Sequence, residues 1–278
     1  MENLNNICPL CNSRKNKTIS AENNYLHRCA VCRIVFNSDF RVLNYNDSYF
    51  LDDYKKQYGK TYIDDFDNIY GNSLKRLEKI DNLLKDKDKK GKLSLLDIGS
   101  AAGFFLKAAG DIGFGRLTGI EISAYAADYC RREFDIDVIN SSFEDAAADI
   151  CYDVITAWYF IEHNPDPDKI IRKIYSRLND NGIFAFSVPS IFGPQYMFQK
   201  EKWINSHPVD HRIDFSPAAV KRYLRKTGFR DVQTHPGGIH PERIYPEKYA
   251  GFDIFSRIYK GISKITSFSD TLEVYAVK

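Results

Sequence analysis

The 278-residue chain lacks any apolar run approaching the ~18 residues that a membrane-spanning helix needs. Its opening, MENLNNICPL, lacks the basic and apolar regions of a secretion signal, so the expected location is the cytoplasm. No charge of one sign dominates: 39 Lys and Arg face 37 Asp and Glu, a formal net charge of +2. Nothing global then draws the chain onto nucleic acid or anionic lipid. Gly and Pro are sparse, 16 and 10 residues, which excludes collagen-like and low-complexity architectures. With 44% hydrophobic residues and nearly balanced charge, a chain of this length buries a substantial core rather than staying disordered. At roughly 150 residues per domain, it has room for one large domain and a smaller one.

Cysteine is scarce too, with six in all, and in a reducing compartment these are thiols or metal ligands rather than disulfides. Four of them cluster early. Cys8, Cys11, Cys29 and Cys32 read C-x2-C, 17 residues, C-x2-C, the spacing of a four-thiolate zinc site. A segment this short cannot bury its own core, so Zn2+ is expected to supply folding energy. His27, two residues before Cys29, is a spare candidate ligand, whereas Cys130 and Cys151 are expected to be packed thiols.

Residues 45–70 are rich in tyrosine and aspartate. Tyr45, Tyr49, Tyr54, Tyr58 and Tyr62 recur close to a helical period, which suits either packing on a neighbour or a substrate-facing lid. An amphipathic helix is expected from Ser73, with Leu74, Leu77, Ile80 and Leu84 on one stripe, followed by the polar linker 85–92. From residue 93, short apolar runs alternate with helical patterns to the closing TLEVYAVK. That alternation implies an α/β fold with a mostly parallel sheet and helices on both faces. The expected division is 1–40, a metal module; 41–92, a helical lid and linker; and 93–278, the main domain.

The richest segment is LLDIGSAAGFFL, where an apolar strand enters a small-residue turn and then a helix. Gly99 and Gly103 lack a Cβ and so admit a ligand close to the backbone. The dinucleotide fingerprint is not met, because its later glycines would fall at Ala101 and Phe104. Asp97 lies two residues before the first glycine. Glu121 ends the next apolar run, 22 positions after Gly99, where an acid can accept hydrogen bonds from both ribose hydroxyls. Turn and acid together point to a nucleoside-containing cofactor, with the Glu121 carboxylate expected to be exposed without it.

These segments, with YDVITAWYFIEHNPDPDKIIRKIYSRLNDNGIFAFSVPS and HPVDHRIDFSPAAVKRYLRKTGFRDV, resemble the class I S-adenosylmethionine-dependent methyltransferases over about 93–278. The resemblance implies a seven-stranded Rossmann-like sheet. It places Asp97, Gly99, Ala101 and Gly103 around the methionine part of S-adenosylmethionine, and Glu121 on its ribose. It puts Ser142 and Phe143 near adenine, and Trp158, at the end of the fourth strand of the sheet, beside cofactor and substrate. Ala101 stands where the family usually has a glycine.

The methyl group of S-adenosylmethionine is already activated, so catalysis needs alignment and, for a hydroxyl or acidic C–H acceptor, a base. Histidine suits that work. The candidates are Glu162–His163 after the fourth strand and Asp210–His211 after the fifth, with His207 four residues before His211. Four-Cys unit, Tyr-rich segment and these pairs together look like the sugar C-methyltransferases, which act on nucleotide-linked deoxyketosugars. Their Y-H-E-H pattern reads Pro208-Val209-Asp210-His211 here, without the tyrosine, and the chain ends at the seventh strand. Both departures favour a relative acting on another sugar, glycan or small-molecule precursor.

Two alternatives remain open on sequence: a zinc-module ribosomal-RNA methyltransferase and a non-catalytic zinc-dependent interaction protein. RNA needs a basic footprint. Around the cysteines, Arg14, Lys15, Lys17, Arg28 and Arg33 outnumber Glu22, but residues 45–70 carry six Asp against three Lys. That balance disfavours phosphate contacts. Finally, in 251–268, Phe252, Phe255, Ile258, Tyr259 and Ile262 would share a helical face, as in a membrane-surface helix, a core helix or a dimer contact.

Overall fold

The computed structural model describes residues 6–19, 25–43, 47, 50, 54–85, 87–146, 150–246 and 248–278. The expected tyrosines Tyr45 and Tyr49 lie outside them. Strands occur at β1 (Asn16–Thr18), β2 (Leu26–Cys29), β3 (Val35–Asn37), β4 (Ser94–Ile98), β5 (Arg116–Glu121) and β6 (Asp137–Asn140). They continue with β7 (Tyr152–Trp158), β8 (Leu178–Pro189), β9 (Ile213–Asp214), β10 (Arg230–Pro236) and β11 (Thr271–Val277). The helices are α1 (Tyr54–Tyr58), α2 (Phe66–Leu83), α3 (Phe104–Asp111), α4 (Ala124–Phe134), α5 (Pro167–Ser176), α6 (Pro194–Phe198), α7 (Lys200–Asn205), α8 (Pro217–Thr227) and α9 (Phe252–Thr266).

Seven strands form one sheet in the order β10-β11-β8-β7-β4-β5-β6. At its centre β4 pairs in parallel with β5 and β7, and β5 with β6. The SLLDI sequence of β4 is buried along its whole length, which is why it reads as a continuous apolar run rather than an alternating one. Helix starts follow local chemistry. Ser123 accepts the Ala126 N–H at the head of α4, and Ser216 accepts that of Ala219 at α8, with Pro217 behind it.

The chain divides into two compact units. One comprises Leu43–Trp158, Lys173–Ala185 and Val277–Lys278. Here α2 begins at Phe66, earlier than the expected Ser73. Ser73 is buried within the helix, and its hydroxyl donates to the Ile69 carbonyl one turn back instead of capping. Leu77 and Ile80 are buried as expected, whereas Leu74 is 36% exposed. Cys130 is buried under the α3 turn, but Cys151 is exposed, contrary to the packed thiol expected.

The other unit comprises Met1–Val42, Tyr159–Arg172 and Phe186–Ala276. The cysteine-bearing segment has a second sheet, ordered β1-β2-β3-β9 and antiparallel throughout. Its outer strand, β9, comes from residues 213–214, far along the chain from β3. Leu26 and Val35 pack with Ile191, Tyr196 and Ile204. Arg222 donates to the Cys32 carbonyl at 2.7 Å and Tyr25 to that of Ile204 at 3.1 Å. The apolar side of the cysteine-bearing segment is therefore completed by residues from 186–276. Among the described residues, no helix is long and apolar enough to cross a membrane.

Gly103 shows how tightly the β4–α3 turn is built. Its φ is +81°, and a Cβ there would sit 2.1 Å from the Cys130 sulfur. Gly103→Ala is expected to cost about 2–4 kcal/mol in urea unfolding, from left-handed strain plus overpacking. Adding Cys130→Ala should recover the packing part. A Gly103→Ala protein of unchanged stability would refute this account of the turn.

Candidate active site

The turn after β4 is held in left-handed backbone at Gly99, Ala101 and Gly103, with φ of 69°, 49° and 81°. Gly99 and Ser100 both donate their N–H to the Ile120 carbonyl of β5. Ala101 donates its N–H to Glu121 Oε2 at 2.9 Å, and Ser123 donates to Oε1 at 2.8 Å. Glu121 is therefore buried, 6% exposed, and the expectation of an open carboxylate is corrected. The turn folds its donors over the acid, and burial raises the acid above the ordinary carboxylate range. Each carboxylate oxygen still has a second lone pair to offer a ribose hydroxyl.

Asp97 is buried on β4 and accepts from Thr156 Oγ1 of β7 at 2.6 Å. Burial pushes it up to about 7, against the pull of that hydrogen bond and of Arg76. Asp47 is a contributor not identified from the sequence. It accepts from Ser123 Oγ at 2.6 Å and from the Tyr125 N–H at 3.1 Å, tying the Tyr-rich segment to the head of α4.

Ser142 follows β6 in a tight turn with Asp145, and Phe143 is buried with Lys173 donating to its carbonyl. Trp158 ends β7 against Phe105, ring centroids 5.3 Å apart, with the Arg76 guanidinium 4.2 Å from the indole. Of the tyrosines in the Tyr-rich segment, Tyr62 stacks on Phe104 at 5.3 Å and Tyr54 meets Tyr62 at 5.1 Å. Tyr54 also donates to buried Asp65 at 2.6 Å. These two rings take the packing role rather than a purely substrate-facing one.

The histidines gather within the other unit. A 3-10 turn, Ile161–His163, follows β7. His163 Nδ1 lies 3.0 Å from both the Asp210 carbonyl and its Oδ2. Both are acceptors, so Nδ1 carries the hydrogen and the basic lone pair resides on Nε2. Burial works against protonation of His163, but Asp210 and Glu162 outweigh it and hold its pKa above the ordinary value. Asp210 thus engages His163, 47 residues away, rather than only its neighbour in sequence.

His211 lies between two other imidazoles, 4.9 Å from His163 and 5.9 Å from His207, and burial lowers it to about 4. It is neutral at physiological pH. Glu162 is 1% exposed, and burial raises it to about 7 even beside His163. His207 Nε2 meets Asp214 Oδ2 at 2.9 Å in a buried pair. Sequence reading noted His207 but missed Asp214. The only signal was an acid seven residues after a histidine, opposite β3 in a strand of two residues. Tyr159 was missed too, an exposed residue at φ 53° whose N–H donates to Ser187 Oγ at 2.9 Å. Positive φ in a tyrosine is uncommon and tends to occur at functional turns.

The four early cysteines converge. Cys8 and Cys32 sulfurs lie 3.5 Å apart, Cys11 and Cys29 3.6 Å apart, and the Cys32 N–H donates to Cys29 Sγ at 3.4 Å. All four ligand atoms fall within 4.8 Å of one another. Tetrahedral zinc with bonds of about 2.3 Å needs sulfurs about 3.8 Å apart, so this donor set fits the ion with little adjustment. His27 is not part of it. Its ring is buried between Thr18 Oγ1, at 3.3 Å, and Ser38 Oγ, at 3.0 Å.

Residues 71–234 match the methyltransferase domain family, more than half of the chain. The chain belongs to that family. Among curated proteins, this methyltransferase is 26% identical over 169 residues to the ubiquinone biosynthesis O-methyltransferase of Vibrio parahaemolyticus, covering 56% of this chain and 68% of the relative. A SAM-dependent methyltransferase from Archaeoglobus fulgidus superposes with a TM-score of 0.56 at 18% identity, over 84% of this chain and 100% of the other. A possible histamine N-methyltransferase from Thermotoga maritima gives 0.53 at 16% identity, over 83% and 97%. These likenesses establish the α/β methyltransferase fold.

Two outcomes follow for this methyltransferase. As purified, it should contain about one zinc per chain by elemental analysis, and chelation should lower its melting temperature. A metal-free protein of unchanged stability would remove the zinc assignment. Glu162 binds its proton more tightly folded than unfolded, so its contribution to stability falls as pH rises from about 4.5 through 7. Glu162→Gln should flatten that slope by up to about 3 kcal/mol across the window in urea titrations. Parallel pH profiles for the two proteins would exclude a raised Glu162.

Proposed function

We propose that this methyltransferase transfers a methyl group from S-adenosylmethionine to a hydroxyl of a small molecule, with sugar and glycan precursors as the acceptor class. The observation that carries the proposal is the Asp210–His163 dyad. The O-methyltransferase likeness lends support to oxygen as the acceptor atom.

In this reading Asp97, Gly99, Ala101 and Gly103 surround the methionine portion, Glu121 holds the ribose, Ser142 and Phe143 border adenine, and Trp158 lies beside cofactor and substrate. When bound, S-adenosylmethionine supplies a sulfonium-activated methyl group, so the protein need only align the acceptor and remove its proton. His163 Nε2 would accept the proton of the acceptor hydroxyl, while bound S-adenosylmethionine would supply the methyl group. Asp210 keeps Nδ1 protonated and orients the ring, as the carboxylate of a catalytic triad does. Neutral His211 packs against His163 and holds its orientation. Residues 1–40 and 41–92 serve as metal module and lid to the catalytic domain 93–278.

The first test is transfer of labelled methyl from S-adenosylmethionine into fractionated cell extract. Label in the nucleotide-sugar or glycan-precursor fraction supports the proposal, and label in RNA overturns it. With an acceptor in hand, His163→Gln should lower kcat by about 10²- to 10⁴-fold while leaving S-adenosylmethionine affinity within a few-fold. Equal losses in both would make His163 structural.

A further inference from the structure

Helix α9 presents two unlike sides. Ser256, Tyr259 and Ser263 form its buried line. On the water side, Ile254 is 68% exposed, Ile258 59%, Ile262 51% and Ile265 86%. The sequence pattern had grouped Ile258 and Ile262 with Tyr259, but the structure separates them. Four isoleucines spaced by four, four and three residues make one continuous ridge at about 3.6 residues per turn. A helix on an ordinary soluble surface carries polar residues there.

The same turn geometry places Arg257, Lys260 and Lys264 along one flank of the ridge, all exposed. Asp253, in the first turn, is the one acid on the helix. Beyond the far end, Phe268 touches Tyr259 and Phe198, with ring centroids 5.8 and 6.2 Å away. Phe198 and its neighbour Met197 are 66% and 51% exposed, and they connect through Phe268 to the Tyr259 side of the helix rather than to the ridge.

We propose that α9 is a membrane-docking helix whose isoleucine ridge enters the headgroup layer of an anionic phospholipid surface while Arg257, Lys260 and Lys264 engage the phosphates. Charge decides the occupant. A second copy related by a twofold axis would bring two cationic flanks together with one acid on each helix to answer three cations. An anionic bilayer supplies the missing charge, and long basic side chains reach it while the ridge stays buried. The helix has 15 residues and lies on the surface rather than crossing it. This inference stands apart from the choice of acceptor.

The test is co-sedimentation of the full chain with phosphatidylcholine vesicles, with and without phosphatidylglycerol. Binding is expected to the anionic vesicles and to weaken with salt. Ile258→Ser with Ile262→Ser should reduce partitioning at least about tenfold. Lys260→Glu with Lys264→Glu should reduce it by about fivefold or more per residue. These positions are exposed, and unchanged melting curves would confirm that the variants fold. Absence of binding, equal binding to neutral vesicles, or variants that bind like the parent would each overturn the proposal. So would light scattering that finds a dimer dissociated by the isoleucine changes.

Discussion

A carboxylate taken out of water must be answered by donors or keep its proton. That constraint organises both units of this methyltransferase. Asp97 is answered by Thr156, and Glu121 by the backbone N–H groups of Ala101 and Ser123. Asp214 is answered by His207 and Asp210 by His163. Glu162 is raised to about 7, because burial outweighs the pull of the neighbouring imidazole, and it keeps its proton well above the pH at which a carboxylate ordinarily ionises. Each acid therefore fixes the geometry of whatever satisfies it. The glycine turn is closed by Glu121, and one imidazole tautomer is set by Asp210.

The consequence for Glu121 is a double duty. The carboxylate proposed to hold ribose also satisfies two backbone donors of the turn, so its removal would leave those donors unanswered in a buried site. On that proposal, binding and folding are joined at this residue. Arg212 joins distant segments in another way. Its N–H donates to the Glu162 carbonyl at 2.6 Å, while its guanidinium donates to the Asn37 carbonyl of β3.

The legible parts of the sequence were local. Short apolar runs between helical patterns marked β4 and β7 because those strands are buried over most of their length, and C-x2-C spacing marked the four clustered cysteines because each turn brings two sulfurs together. Pairings between distant residues were not legible. Nothing in HPVDHRID says that Asp210 reaches back to His163, or that Asp214 meets His207 from a strand of two residues. The start of α2 was misplaced because Ser73 has the chemistry of a cap, and only its burial in mid-helix discloses the bond to Ile69. For α9 the period was visible, but amphipathic pattern alone does not say which of two apolar lines faces the core.

Strand β9 is so short that its pairing has no redundancy. Val35 sits opposite Asp214 and Phe36 opposite Ile213, and side chains along a strand alternate between faces. Only Arg33 and Ile34 separate Cys32, the last of the four clustered cysteines, from that register. Lengthening or shortening this stretch by a single residue would slip β3 against β9 and exchange the faces that Val35 and Phe36 present. The count of residues after Cys32 is thus itself a constraint on the second sheet, and it should tolerate substitution far better than insertion or deletion.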